Sequence, residues 1–140
     1  MKKIVLKVLL VIFLLSNNLF AKSQYFEDGI NLFNKNKLDE AKFKFEQDIV
    51  FNPKSELSYL YLSKIFNKQN KKKLEEQNLN TVILLNPRNE EATYHLAKLK
   101  LNASDYQKSK ELNRKLKLFC DKFCIQSDNL NKEIENLSNK

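Results

Sequence analysis

Apolar residues recur along this chain at helical spacing, in short stretches separated by polar breaks. Phe26, Ile30 and Phe33 lie three or four residues apart; "NKNK" interrupts them, and Leu38, Ala41, Phe45 and Ile49 resume the pattern. Leu62, Ile65 and Phe66 then precede "NKQNKKK", and Leu74, Leu79, Val82 and Ile83 follow it. Leu96 and Leu99 precede "NASD", with Tyr106, Leu112, Leu116 and Phe119 beyond. Each set reads as two amphipathic helices joined by a short polar turn, which predicts three helix pairs. A seventh helix is expected in "SDNLNKEIENLSNK", where two capping residues open a stretch with Leu130, Ile134 and Leu137 on one face. The fold class is all-α.

Punctuation between the pairs is regular. Pro53 and Pro87 are the only prolines; each follows an Asn, and they stand 34 residues apart. Proline disfavours the α conformation in the residue before it and cannot donate a backbone hydrogen bond, so a helix should end near Asn52 and another near Asn86. Ser55 and Asn89 then occupy N-cap positions, with Glu56, Glu90 and Glu91 in the first turns that follow. The same 34-residue shift superimposes the 29 residues from Tyr25 to Pro53 on those from Tyr59 to Pro87. It divides the chain into units of about 22–55, 56–89 and 90–123. Residues 124–140 remain as a capping helix and polar tail, because a stack of repeats needs a last element with one polar face.

These units resemble the tetratricopeptide repeat (TPR), whose 34-residue pattern reads W-x2-L-G-x2-Y, then A-x3-F, then P. In the first unit Tyr25 stands at the Trp position, and Gly29, Leu32, Ala41, Phe45 and Pro53 fit the rest, while Asp28 replaces Leu. In the second, Tyr59, Leu62, Ser63, Phe66, Leu79 and Pro87 fit, but Glu75 replaces the small Ala. The third keeps Leu96, Ala97 and the turn "SDY", and departs at Thr93, Lys100, Asn113 and Asp121, the last in place of Pro. The resemblance covers roughly residues 22 to 121. It implies a TPR-like solenoid of about three helix-turn-helix repeats with a C-terminal capping helix. Small residues at Gly29, Ser63 and Ala97 would let helices approach, with Tyr25, Tyr59, Leu62, Phe45 and Leu79 as core candidates.

In this family the first helix of each pair lines a concave groove that holds an extended peptide or a helix. Carried onto this chain, the groove would present Phe26, Leu60 and Tyr94 in one row and Ile30, Lys64 and Lys98 in the next, with Phe33, Asn67 and Leu101 one turn on. One row is apolar and aromatic, and the other is basic. Apolar pockets give affinity, and ammonium groups pair with ligand carboxylates. The chaperone-binding members carry a clamp of Lys, Asn and Arg; here Phe26, Ile30 and Tyr61 stand at such positions, so that specificity is not carried over. The alternative is that the capping helix or self-association covers some of these residues.

The first 21 residues change the picture of where the protein works. Lys2, Lys3 and Lys7 precede an apolar run from Val8 to Leu15 and a short polar stretch ending at Ala21, which is the secretory signal pattern. The run falls short of the roughly 20 residues of a spanning helix. A cut after Ala21, and export, most simply to a bacterial periplasm, are expected; a retained N-terminal anchor is the alternative. Removing the three lysines leaves 22 basic and 17 acidic residues, or +5 instead of +8. Signs alternate along most of the chain, so this reads as a compositional bias. "KQNKKKL", residues 68 to 74, lies on a turn and reads as solvated lysines without the aromatic interleaving of a base-stacking surface. Nucleic acid is therefore not an expected partner, and membrane contact is expected only if the leader is retained.

Cys120 and Cys124 are the only cysteines, and an exported chain with two so close suggests a disulfide. Residues four apart on a continuous helix hold their Cβ atoms ~5–6 Å apart, too far for a bridge, so the helix must distort or end near Asp121. Free thiols or a redox pair are the alternatives. Two cysteines with no nearby His fall short of a zinc site, so no metal is expected. His95, the sole histidine, has no partner at a motif distance and reads as a surface residue. No Gly-rich phosphate loop, HExxH or nucleophile elbow is present. The expectation is a non-enzymatic adaptor without cofactor, binding a protein or peptide through the groove. The alternative is a structural, self-associating or membrane-anchored component of an envelope complex.

Overall fold

A computed structural model describes residues 23–138, and the leader expected at residues 1–21 lies outside them. Seven helices and no strands are found among the described residues: α1 (Gln24–Asn34), α2 (Leu38–Phe51), α3 (Glu56–Lys68), α4 (Lys72–Leu85), α5 (Glu90–Asn102), α6 (Tyr106–Lys117) and α7 (Cys124–Ser138). Helices α1 and α2, α3 and α4, and α5 and α6 pair as antiparallel hairpins; each hairpin packs on the next, and α7 lies on α6 with a smaller contact to α5.

The turn inside each hairpin repeats the 34-residue period in its backbone. Asn36, Asn70 and Ser104 all adopt positive φ, at 58°, 55° and 61°. In each turn the following N–H reaches back across the helix end, from Lys37 to the Leu32 carbonyl, from Lys71 to Phe66 and from Asp105 to Lys100, at 2.8–2.9 Å. Asparagine tolerates the left-handed region because its short side chain bonds locally, which suits it to the first two turns.

Between hairpins the Asn-Pro pairs act as the pattern predicts. The N–H groups of Asn52 and Asn86 close α2 and α4 onto Asp48 and Val82, and Ser55 and Asn89 then bond back to Asn52 and Asn86. Asn89 caps α5 by accepting from the Ala92 N–H at 2.8 Å. Ser55 holds the N-cap position of α3, but its hydroxyl donates to Ser58 Oγ instead. The third junction has no proline. Cys120 N–H bonds to Leu116, the chain turns through 118–123, and a Cys120–Cys124 disulfide with Cα atoms 5.3 Å apart spans the break between α6 and α7. Glu90 completes the junction, one carboxylate oxygen accepting from the N–H groups of Asp121, Lys122 and Phe123, each at 2.9 Å.

Two apolar clusters form the core. The first centres on Phe26, Phe45 and Phe66 with Ala41, Leu62 and Ile65. Tyr61 closes it from α3, stacked 5.0 Å from the Phe45 ring and edge-on to Phe26 and Phe33. Gly29 lies directly over Phe45: a Cβ there would meet the ring at 2.7 Å, which is why this position takes glycine. The second cluster runs from Leu79 and Val82 through Leu96 and Leu99 to Leu112, Leu130 and Ile134, so α7 seals the last hairpin. Asn113 and Ser127, both buried, exchange two hydrogen bonds across the α6–α7 contact, which gives the third unit's departure at Asn113 a partner. Tyr25 and Tyr59, expected in the core, are only half-buried; Tyr25 instead stacks on Phe51 at the edge of the first hairpin.

Candidate functional site

Three residues expected to line the groove are core. Phe26, Leu60 and Leu101 are 3%, 4% and 3% exposed, because each is packed into one of the two core clusters with residues of neighbouring helices. Two more are engaged by the C-terminal segment. Tyr94 packs against the second cluster with its ring 5.5 Å from that of Phe123, and Lys98 is bonded to Glu133 of α7. The basic row therefore ends before the third hairpin. Ile30 is half-buried against the first cluster.

What remains open is a groove of about 260 Å³ lined by Phe33 from α1, by Ser63, Lys64, Asn67 and Lys68 from α3, by Glu75 from α4 and by His95 from α5. Phe33, Lys64 and Asn67 are the expected residues that the fold brings together there. Lys64 forms an ion pair with Glu91 at 2.8 Å and lies 4.8 Å from the Tyr61 ring centre. Lys68 sits over the face of Phe33, 4.7 Å from its centre, and has no carboxylate partner among the described residues. A cation held over an aromatic ring is attracted by its quadrupole and kept in place. Lys68 is thus the groove's unpaired positive charge.

His95 and Glu75 were not read as site residues. His95 is part of the groove wall instead of an isolated surface residue: burial holds its pKa below the ordinary histidine value, opposed by Glu91, with Lys64 also lowering it. The imidazole is therefore neutral at neutral pH, and its 3.8 Å approach to Glu91 is a polar contact, the Glu91 charge being met by Lys64. Glu75 occupies the position where the repeat calls for a small residue, and it is 4% exposed. Burial pushes its pKa up; a hydrogen bond from Asn67 Nδ2 at 2.9 Å and the charge of Lys72 pull the other way.

The sign of the Glu75 effect follows from linkage. With the folded value above the ordinary 4.5, stability is greatest below about pH 4.5 and falls as pH rises through the folded value, because the fold must then hold a buried charge. Glu75→Gln keeps an acceptor for Asn67 and removes that charge. It is expected to raise the thermal midpoint at pH 7 by a few degrees, about 1 kcal/mol, with the gap to wild type closing near pH 4. Circular dichroism melts at the two pH values read it; a variant less stable than wild type at pH 7 would show that the carboxylate is a net asset.

No protein-family model and no curated protein sequence matches the chain. Solved structures do match. The first TPR domain of Spaghetti (RPAP3) bound to an HSP90 peptide aligns at a TM-score of 0.72 and 16% identity, over 81% of this chain and 90% of that one. The TPR2B domain of yeast Sti1, in a complex with pHsp70, aligns at 0.74 and 15%, over 82% and 99%. The type III secretion chaperone SycD of Yersinia enterocolitica, with a peptide of the translocator YopD, aligns at 0.73 and 13%, over 84% and 93%. Identities this low carry the fold alone, and the fold of this chain is that of a TPR-like helical solenoid.

Proposed function

We propose that this protein is a non-enzymatic adaptor, exported to a bacterial periplasm, that binds a protein or peptide partner in the groove between α1, α3 and α5. The observation that carries the reading is the groove itself: an open space of about 260 Å³ with an aromatic wall at Phe33 and an unpaired ammonium at Lys68. An apolar ligand side chain against Phe33 and a carboxylate on Lys68, with Asn67 as a further donor, would use all three. The Spaghetti domain and SycD were each solved with a peptide, which supports a peptide ligand on this scaffold. The leader pattern supports export, and the absence of any nucleophile, phosphate-loop or metal motif in the sequence supports a role without chemistry of its own.

Peptides selected on the full chain from a displayed random library, then titrated by fluorescence polarisation, test this. Phe33→Ala with Lys68→Glu is expected to weaken the selected peptides by at least about tenfold while helical content stays unchanged. Peptides that bind the double variant as well as wild type would sink the groove assignment.

A further inference from the structure

The 34-residue period continues outside the groove, on the edge formed by the three junctions between hairpins. Val50, Leu84 and Leu118 occupy equivalent positions near the ends of α2, α4 and α6, and they are 74%, 81% and 85% exposed. Phe51, next to the first of them, and Ile125, in the first turn of α7, are also exposed. Lys54, Arg88 and Lys122 repeat at the same interval four residues further on; all three are exposed, and none has a carboxylate partner among the described residues.

These junctions lie side by side. Glu56, after the first, accepts hydrogen bonds from Asn86 and Asn89 of the second, at 3.1 and 3.3 Å. Its equivalent Glu90, after the second, accepts from the backbone of 121–123 in the third, and the Arg88 guanidinium stands 5.9 Å from the Phe119 ring of that junction. An apolar row and a cationic row therefore run together along one edge. Glu56 and Glu90 are engaged in these cross-links; the Glu90 carboxylate also feels the charge of Lys122, whose chain neighbour is Asp121. At the first junction Ser23 also bonds to Asp48, and Tyr25 stacks on Phe51, both in the last turn of α2.

We propose that this edge docks on an anionic phospholipid surface. Three large apolar side chains in a line, flanked by exposed cations, match the interface of such a bilayer, where apolar groups enter the headgroup boundary and lysines and arginines face phosphates. A second copy of the chain fits less well, since a two-fold contact through the same edge would set cationic rows against each other. The contact leaves the groove between α1, α3 and α5 open.

The chain contains no tryptophan, so single substitutions report their own surroundings. Leu84→Trp, Leu118→Trp and, on the opposite edge, Ala103→Trp would be made in the full chain and mixed with vesicles of phosphatidylcholine alone or with phosphatidylglycerol in equal parts. The expected result is a blue shift of the first two emissions with the anionic vesicles, reversed on raising salt from about 0.05 M to about 0.5 M, and none at Ala103→Trp. Adding Lys54→Gln, Arg88→Gln and Lys122→Gln should weaken partitioning on the order of a hundredfold, about fivefold per cation. The proposal is overturned if all three probes shift alike, if neutral vesicles do as well, or if the shift appears without lipid together with a doubled mass, which would make the edge a contact between copies.

Discussion

Phe45→Ala is expected to cost about 4 kcal/mol, a large part of the margin of a domain this size, and to leave the first hairpin unable to hold its partner. Phe45 is fully buried, and its ring is the surface on which three elements meet. Gly29 of α1 approaches it with no Cβ between them, Phe26 tilts against it at 5.8 Å, and Tyr61 of α3 stacks on it at 5.0 Å. Truncation removes the shared neighbour of the first and second hairpins at once. The void cannot close by a rotamer change, because the backbone at Gly29 has no side chain to swing in. Urea unfolding followed by circular dichroism measures the loss. A cost below about 1.5 kcal/mol would mean that the cluster repacks and that the aromatic stack is not what couples α1 to α3.

That same cluster shows what could be read before the structure. A period of 34 residues identifies equivalent positions, and equivalence was enough for the ends of α2 and α4 and for the order of the helices; the resemblance added Gly29 as a point of close approach and Phe45 as core, though not their contact. It was not enough for the groove. Phe26, Leu60 and Tyr94 are equivalent by period, yet the first two are core and the third leans on Phe123. Their burial is decided by neighbours from other units, and the last unit has α7 where the others have another hairpin. Lys98 shows the same limit: its position matches Lys64, but Glu133, 35 residues later and in no repeat, takes its charge. Glu75 and His95 were not placed in the groove for the opposite reason. Each departs from or lies outside the repeat pattern, and each gains its setting from an adjacent hairpin: Asn67 bonds to Glu75, while Lys64 and Glu91 frame His95. The cross-junction carboxylates had a fainter signal. Glu56 and Glu90 read as helix-start charges, although their identical spacing from the two prolines already marked them as a pair.

Replacing both Cys120 and Cys124 by Ser should lower stability by about 2 kcal/mol, the loop-closure value for so short a ring, and open the turn at 118–123. Where the other junctions have Asn-Pro, this one depends on two devices, the disulfide and the Glu90 carboxylate. The backbone N–H groups of Asp121 and Phe123, ahead of that of Lys122, hold the Glu90 pKa below the ordinary 4.5. A carboxylate with a lowered folded value contributes stability that is present above about pH 4.5 and lost as pH falls through the folded value. In the disulfide-free protein that contribution is a remaining pH-dependent restraint on the junction, so acid should loosen it further. Hydrogen exchange at the amides of Asp121, Lys122 and Phe123 is the direct reading: faster in the double Ser variant at neutral pH, and faster still, relative to wild type, as the solution is acidified below about pH 4.5. Unchanged exchange at these three amides in the variant would show that Glu90 alone stands in for proline, and that the bridge adds nothing to the junction it spans.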